Sequence, residues 1–393
     1  MRKLKVSKIW ILAFLLAVLI AGCGDSDKST GGATSPLTPP AVTSVTPPTG
    51  SAVVCPNTPV ITATFSKAMN PLTINTATFT LAGPSGASVS GTVSLDSAGL
   101  VATFTPLTPP GLATRTTYTA TITTGVADTF GNTLAANFPW TFTTSPFNPC
   151  PPPVAAVALG AACGYGVLAH STVTNTGATT IAGVPPAKAD LGLSPGAAVT
   201  GFAIAPANTF VGSGTNTAGL GIVTGTIHLT DPPPAASNTA AQAQADLTVA
   251  YNDLAGRTAP APTILTGAAP DLGGLTLAPG IYKSNTSVGI TGTVTLDGGG
   301  DPNAVWIFQI SSTFITASNS NVVLAGSASA HNIFWQVGSS ATLGTNSTFN
   351  GSILTGSGSI SIATGATLNG RALAQTAGAV TLDTNMVNVP PCP

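Results

Sequence analysis

Apolar and polar residues alternate with period two in several runs of the first third of the chain. Ile61, Ala63 and Phe65 share one face, as do Ala77, Phe79 and Leu81, then Tyr118, Ala120 and Ile122. Trp140 and Phe142 alternate with Thr141 and Thr143. Such alternation predicts strands buried on one side only. Turn signals at Pro84-Ser85-Gly86 and Gly131-Asn132 separate them. About seven short strands in roughly 100 residues predict a two-sheet β-sandwich over 41–146. The Pro-rich stretch 147–154 reads as a stiff linker.

Beyond it the sequence repeats itself. Ser347-Thr348-Phe349-Asn350-Gly351-Ser352-Ile353-Leu354 recurs as Ala366-Thr367-Leu368-Asn369-Gly370-Arg371-Ala372-Leu373, 19 residues on. Phe308-Gln309-Ile310 returns as Trp335-Gln336-Val337 after 27 residues, the longer step containing a polar turn around Gly326–Asn332. Gly-punctuated β repeats of this length predict the coils of a solenoid over 155–390, each stabilised by stacking on the next. One segment departs from the pattern. In Ser237–Arg257, Ala240, Ala243, Leu247, Ala250, Tyr251 and Leu254 fall at helical spacing, after Pro232–Pro234, with Ser237 or Asn238 as the expected cap. The expectation is all-β structure with one long helix lying along the solenoid.

The N-terminus reads differently. Arg2, Lys3, Lys5 and Lys8 precede an apolar run, Ile9–Ile20, and then small residues. That is the layout of a secretory signal over 1–22, too short to span a bilayer comfortably. Ile20-Ala21-Gly22-Cys23 resembles the lipobox of bacterial lipoproteins. The resemblance implies lipidation of Cys23, and residues 23–40 then form a flexible linker at the outer membrane or cell surface.

Composition narrows the function classes. Only 6% of residues are charged, against roughly 25% in an ordinary domain. All twelve acids are Asp. Removing the four leader cations from eleven leaves seven, for a net charge of −5. No basic patch faces a nucleic acid. Nor does any residue set suggest an enzyme: His170, His228 and His331 are scattered, and no nucleophile elbow, phosphate loop or zinc spacing occurs. A polysaccharide-lyase site needs clustered acids and bases, which are lacking. Asp297 and Asp301 flank Gly298–Gly300, a faint calcium signal that a turn before the next strand explains better. No cofactor and no metal is expected. The remaining cysteines, Cys55, Cys150, Cys163 and Cys392, allow three pairings, and domain position favours Cys55–Cys150 with Cys163–Cys392.

Two resemblances add to this reading. Ile61–Pro71, Thr116–Ala135 and Pro139–Thr144 resemble bacterial Ig-like domains of the surface-layer type, which implies an Ig-like sandwich acting as a spacer. Ser171–Gly177, Asp190–Gly201, Ala240–Arg257, Gly273–Lys283, Gly300–Ser312 and Phe334–Leu373 resemble bacterial and fungal ice-binding proteins of the DUF3494 type. That likeness implies a discontinuous right-handed β-helix with an α-helix packed alongside, and ice binding through one flat β-face. Ala330-His331-Asn332 stands where many members have a Cys, so that family disulfide is missing.

The chemistry suits ice. Stacked coils repeat at about 4.8 Å and alternate residues of a strand at about 6.7 Å, a flat uncharged grid. Thr offers a hydroxyl, a methyl and a stiff χ1. Aligning the repeats places Ser318, Thr345, Thr364 and Thr384 in one column and Asn321, Thr348 and Thr367 in a second, with Thr295 above it. Thr176 and Thr179 have the same Thr-x-x-Thr spacing. Residues three apart on a straight strand face opposite ways, so a corner is required between the columns; Thr342 and Ser361 are the alternates. The expectation is a monomeric surface lipoprotein whose partner is an ice crystal and whose only membrane contact is its lipid. The alternative is a surface adhesin or structural protein binding carbohydrate or another surface, because a fold alone does not fix function.

Overall fold

The computed structural model describes residues 38–57, 59–107, 111–185, 189–229 and 239–392. The expected signal, Cys23 and the candidate caps Ser237 and Asn238 lie outside these.

The first part is a sandwich of two four-stranded sheets. One contains Val42–Thr46, Ile61–Phe65, Val101–Pro106 and Gly91–Leu95, all antiparallel. The other contains Ser51–Val54, Phe138–Thr144, Thr117–Ile122 and Phe79–Ala82. Ile61, Phe65, Phe79, Phe104, Trp140 and Phe142 fill the space between them. The Phe79 ring lies 5.6 Å from Phe104 and 5.7 Å from Trp140, centroid to centroid. A disulfide joins Cys55 to Cys150.

The second part is a β-helix of parallel strands with three faces. Ten strands form one face, from Thr209–Val211 at one end to Thr263–Ile264 at the other. Fifteen more run around the other two, which the long strand Thr215–Val223 joins at a corner. The stack does not follow chain order. The first strand, Tyr165–Ala169, pairs with Ala372–Ala374 of the last full coil. The chain therefore starts in the middle of the stack, builds outward one way, and resumes at the far end to return.

The helix Ala240–Gly256 spans that gap. Its seventeen residues are roughly 25 Å long, the height of about five coils. Thr239, rather than Ser237 or Asn238, caps it: its hydroxyl accepts from Gln242 N at 3.1 Å. Ala240, Ala243, Leu247, Ala250 and Leu254 are buried against Leu168, Ile307, Phe334, Leu354 and Leu373 of the ten-stranded face. Side chains of that face also meet the helix backbone. Gln309 Nε2 donates to the Leu254 and Arg257 carbonyls at 2.7 and 2.8 Å, supplying partners that a helix end lacks. The face is thus covered on both sides, and strands such as Ile333–Val337 are buried throughout.

Inside, equivalent residues stack. Phe308 lies 3.8 Å from Trp335 at an interplanar angle of 5°, and Tyr282 lies 5.3 Å from Phe308 on its other side. A second disulfide joins Cys163 to Cys392. Beside it Arg371 is fully buried. Its Nε donates to the Cys163 carbonyl at 2.8 Å and its Nη2 to the Pro390 carbonyl at 2.6 Å. Burial lowers its pKa to about 10.

Asp297 and Asp301 act in the turn that links two faces. Asp297 Oδ2 accepts from Arg115 of the sandwich at 2.7 Å, and its Oδ1 accepts from Gly299 N. Asp301 Oδ1 accepts from Asn303 N at 2.8 Å.

Candidate functional site

With the ten-stranded face covered by the helix, two faces remain. On one of them the strands carry a buried row, Val288, Phe314, Ala341, Ile360, Val380, Val173 and Val199. The next residue on each strand points outward. Registers run Thr342 to Ser361, Ser361 to Thr381, Thr381 to Thr174, Thr174 to Thr200 and Thr200 to Thr217. Six hydroxyl residues therefore stand side by side without interruption. Gly289 and Ile315 extend the row at one end. Two positions back lies a parallel row, Ser287, Thr313, Ser340, Ser359, Ala379 and Thr172. Neighbouring hydroxyls bond each other: Thr381 Oγ1 donates to Ser361 Oγ at 3.0 Å, and the hydroxyls of Ser287 and Thr313 are hydrogen-bonded at 2.7 Å. Neither row contains a charged side chain.

A stacked β-turn borders this face. Ser320 N, Ser347 N and Ala366 N donate to the Ala317, Gly344 and Ala363 carbonyls. Asn319, Asn346 and Gly365 take the left-handed position, with φ of 58°, 56° and 70°, residue types that tolerate it. Just before it, Ser318, Thr345 and Thr364 stack at the corner, half or fully exposed. Just beyond it, Ser320, Ser347 and Ala366 point inward, and Asn321, Thr348 and Thr367 open the third face in register. The left-handed residue resolves the parity conflict of the Thr-x-x-Thr spacing.

Three expected positions differ. Thr179 is fully buried; its hydroxyl accepts from Asn385 N at 3.0 Å. Its coil holds one extra residue at this corner, Ala178, so Thr180 takes the outward place opposite Met386. Thr384 is not in the corner column. Its coil is one residue shorter here, so Asp383 stacks on Thr364 and pairs with Thr176, while Thr384 takes the left-handed place with φ 53°. Thr295 pairs with Val323, one column away; Thr293 is the residue opposite Asn321. The exposed residue Thr176 does close the corner column.

The third face is less uniform. Thr293, Asn321, Thr348 and Thr367 are followed by Met386, and beside them Asn350 Nδ2 donates to the Val322 carbonyl and Asn388 Nδ2 to Asn369 Oδ1. Thr381, Thr174, Thr200 and Thr217 of the hydroxyl row escape a reading by repeats, because the contact that joins Thr381 to Thr174 links strands distant in sequence. The alternation Thr172-Val173-Thr174-Asn175-Thr176 is the signal that points to them.

Together these features define a helix-backed β-solenoid that exposes a lattice-like hydroxyl face behind an all-β sandwich. Residues 167–388 match the ice-binding-like family, and the chain belongs to it. Residues 37–144 match the bacterial Ig-like domain family. An ice-binding protein of Nostoc sp. (strain HG1) is 47% identical over 231 residues, covering 58% of this chain and 73% of that protein. One from Colwellia sp. is 39% identical over 242 residues, covering 60% and 84%. The crystal structure of an ice binding protein from an Antarctic biological consortium is similar at 41% identity and a TM-score of 0.50, covering 61% of this chain and 93% of that one. The two matched families are consistent with an extracellular or surface location.

Proposed function

We propose that this protein adsorbs to ice through the hydroxyl face, with the corner residues Ser318, Thr345, Thr364 and Thr176 along its border. The carrying observation is the unbroken row from Thr342 to Thr217. Its repeat of about 4.8 Å across strands and 6.7 Å along them offers water a neutral grid. Rigid strands and stiff threonine rotamers lose little entropy when they meet a crystal. Asn321, Thr348 and Thr367 flank this surface across the turn. The sandwich 41–146 acts as a spacer, and a lipid on Cys23 holds the chain at the cell surface. Adsorption would restrain ice growth or recrystallisation, or keep the cell at ice.

The test is ice shaping and recrystallisation with the full chain. Thr381→Tyr or Thr174→Tyr should abolish both without loss of folding. Thr348→Tyr on the adjacent face should retain most of the activity. Unaltered ice growth beside folded wild type would favour the surface adhesin.

A further inference from the structure

The corner column changes character at one coil. Ser318, Thr345, Thr364 and Thr176 are neutral, but Asp383 stands among them, half-buried, between Thr364 and Thr176. Thr364 Oγ1 donates to Asp383 Oδ2 at 2.5 Å, and Thr384 Oγ1 donates to Oδ1 at 3.1 Å. Thr384 departs from the repeat too. It is a β-branched residue at φ 53°, where the neighbouring coils have Asn346, Gly365 and Gly177. β-Branched residues rarely adopt that conformation. Gly177 makes room for it: a Cβ there would lie 2.3 Å from Thr384 Oγ1.

We propose that Asp383 is a positioning residue of the ice-contacting surface, fixing the hydroxyls of Thr364 and Thr384 with their protons turned inward. The inference rests on the reading that this corner borders the ice face. A hydroxyl has one proton and two lone pairs. Once the proton is given to the carboxylate, only acceptors face outward. Both threonines are exposed, so the water above them must point hydrogens toward the protein. Elsewhere in the column the hydroxyls of Ser318 and Thr345 are not held by a carboxylate. The Asp383 coil is therefore ordered before ice arrives, which lowers the entropy lost on adsorption.

The experiment compares the full chain with Asp383→Ala and Asp383→Asn. Adsorption to a single ice crystal is measured by fluorescence, with a thermal melt of each protein. Asp383→Ala should weaken adsorption about tenfold, the worth of a charged hydrogen bond. Asp383→Asn should fall between, because its amide oxygen still holds one hydroxyl. Folded variants that match wild type would overturn the proposal and leave ice binding intact. Wild type that ignores ice would overturn both. If Asp383→Ala does not fold, the comparison of wild type with Asp383→Asn decides.

Discussion

Thr381 and Ser361 occupy successive coils, and the hydroxyl of the first donates to that of the second at 3.0 Å. The surface that faces water is thus partly bonded to itself. Thr381→Val keeps the shape and the methyl but removes the donor. It should leave stability within about 1 kcal/mol and reduce thermal hysteresis severalfold. A freezing-point gap equal to that of wild type would show that the methyl grid alone suffices.

Thr179 offers the converse case. Its buried hydroxyl accepts from Asn385 N and contributes to the stack, not to the surface. Thr179→Val leaves that amide without a partner and should cost about 1–3 kcal/mol of unfolding free energy. Ice adsorption per folded molecule should be unchanged. Loss of adsorption without loss of stability in a denaturant titration would contradict this assignment.

Arg371 holds two separate chain segments, at Cys163 and Pro390, through different nitrogens of one guanidinium. A lysine cannot reproduce the fork. Arg371→Lys should destabilise the protein by about 2–3 kcal/mol and raise amide exchange in Met386–Val389, the strand that leads to Pro390. Exchange rates identical to wild type there would argue against the clamp.

Acid should destabilise the sandwich through Asp128. Burial alone would raise its pKa. Hydrogen bonds from the Asn132 side chain and the Asn132 and Phe130 amides, with the Lys67 ammonium at 3.7 Å, outweigh burial and hold it below the ordinary value of 3.8. A depressed folded-state pKa gives stability that is present above the unfolded value and lost as pH falls through the folded one. The melting temperature of wild type should therefore decline below about pH 4. Asp128→Asn should melt lower at neutral pH and show a shallower acid decline. Parallel pH curves for the two proteins would refute the linkage.

Local rules made much of this architecture readable. Period-two alternation marks Ile61, Ala63 and Phe65 as inward residues of a sandwich strand, and all three are buried. The 19-residue repeat places Phe349 opposite Leu368, and the 27-residue repeat places Phe308 opposite Trp335, as the registers have them. What alignment misses is a change of one residue at a corner. The extra Ala178 and the shortened turn at Asp383 each shift a threonine from one column to another. A slip by one reverses the direction of every side chain. Nor can a repeat place Thr174 beside Thr381. That contact joins the first coil to the last, and it follows from where the helix returns the chain.

Because the opening coil is sandwiched in mid-stack, its assembly must wait until the strand Ala372–Ala374 has been made. Strands 165–229 emerge with one flank bare, and the segment that covers it, around Ala372–Ala374, leaves the ribosome much later. An ordinary solenoid shortened at its C-terminus loses a cap; this one would lose its keystone and part into two stubs with raw strand edges.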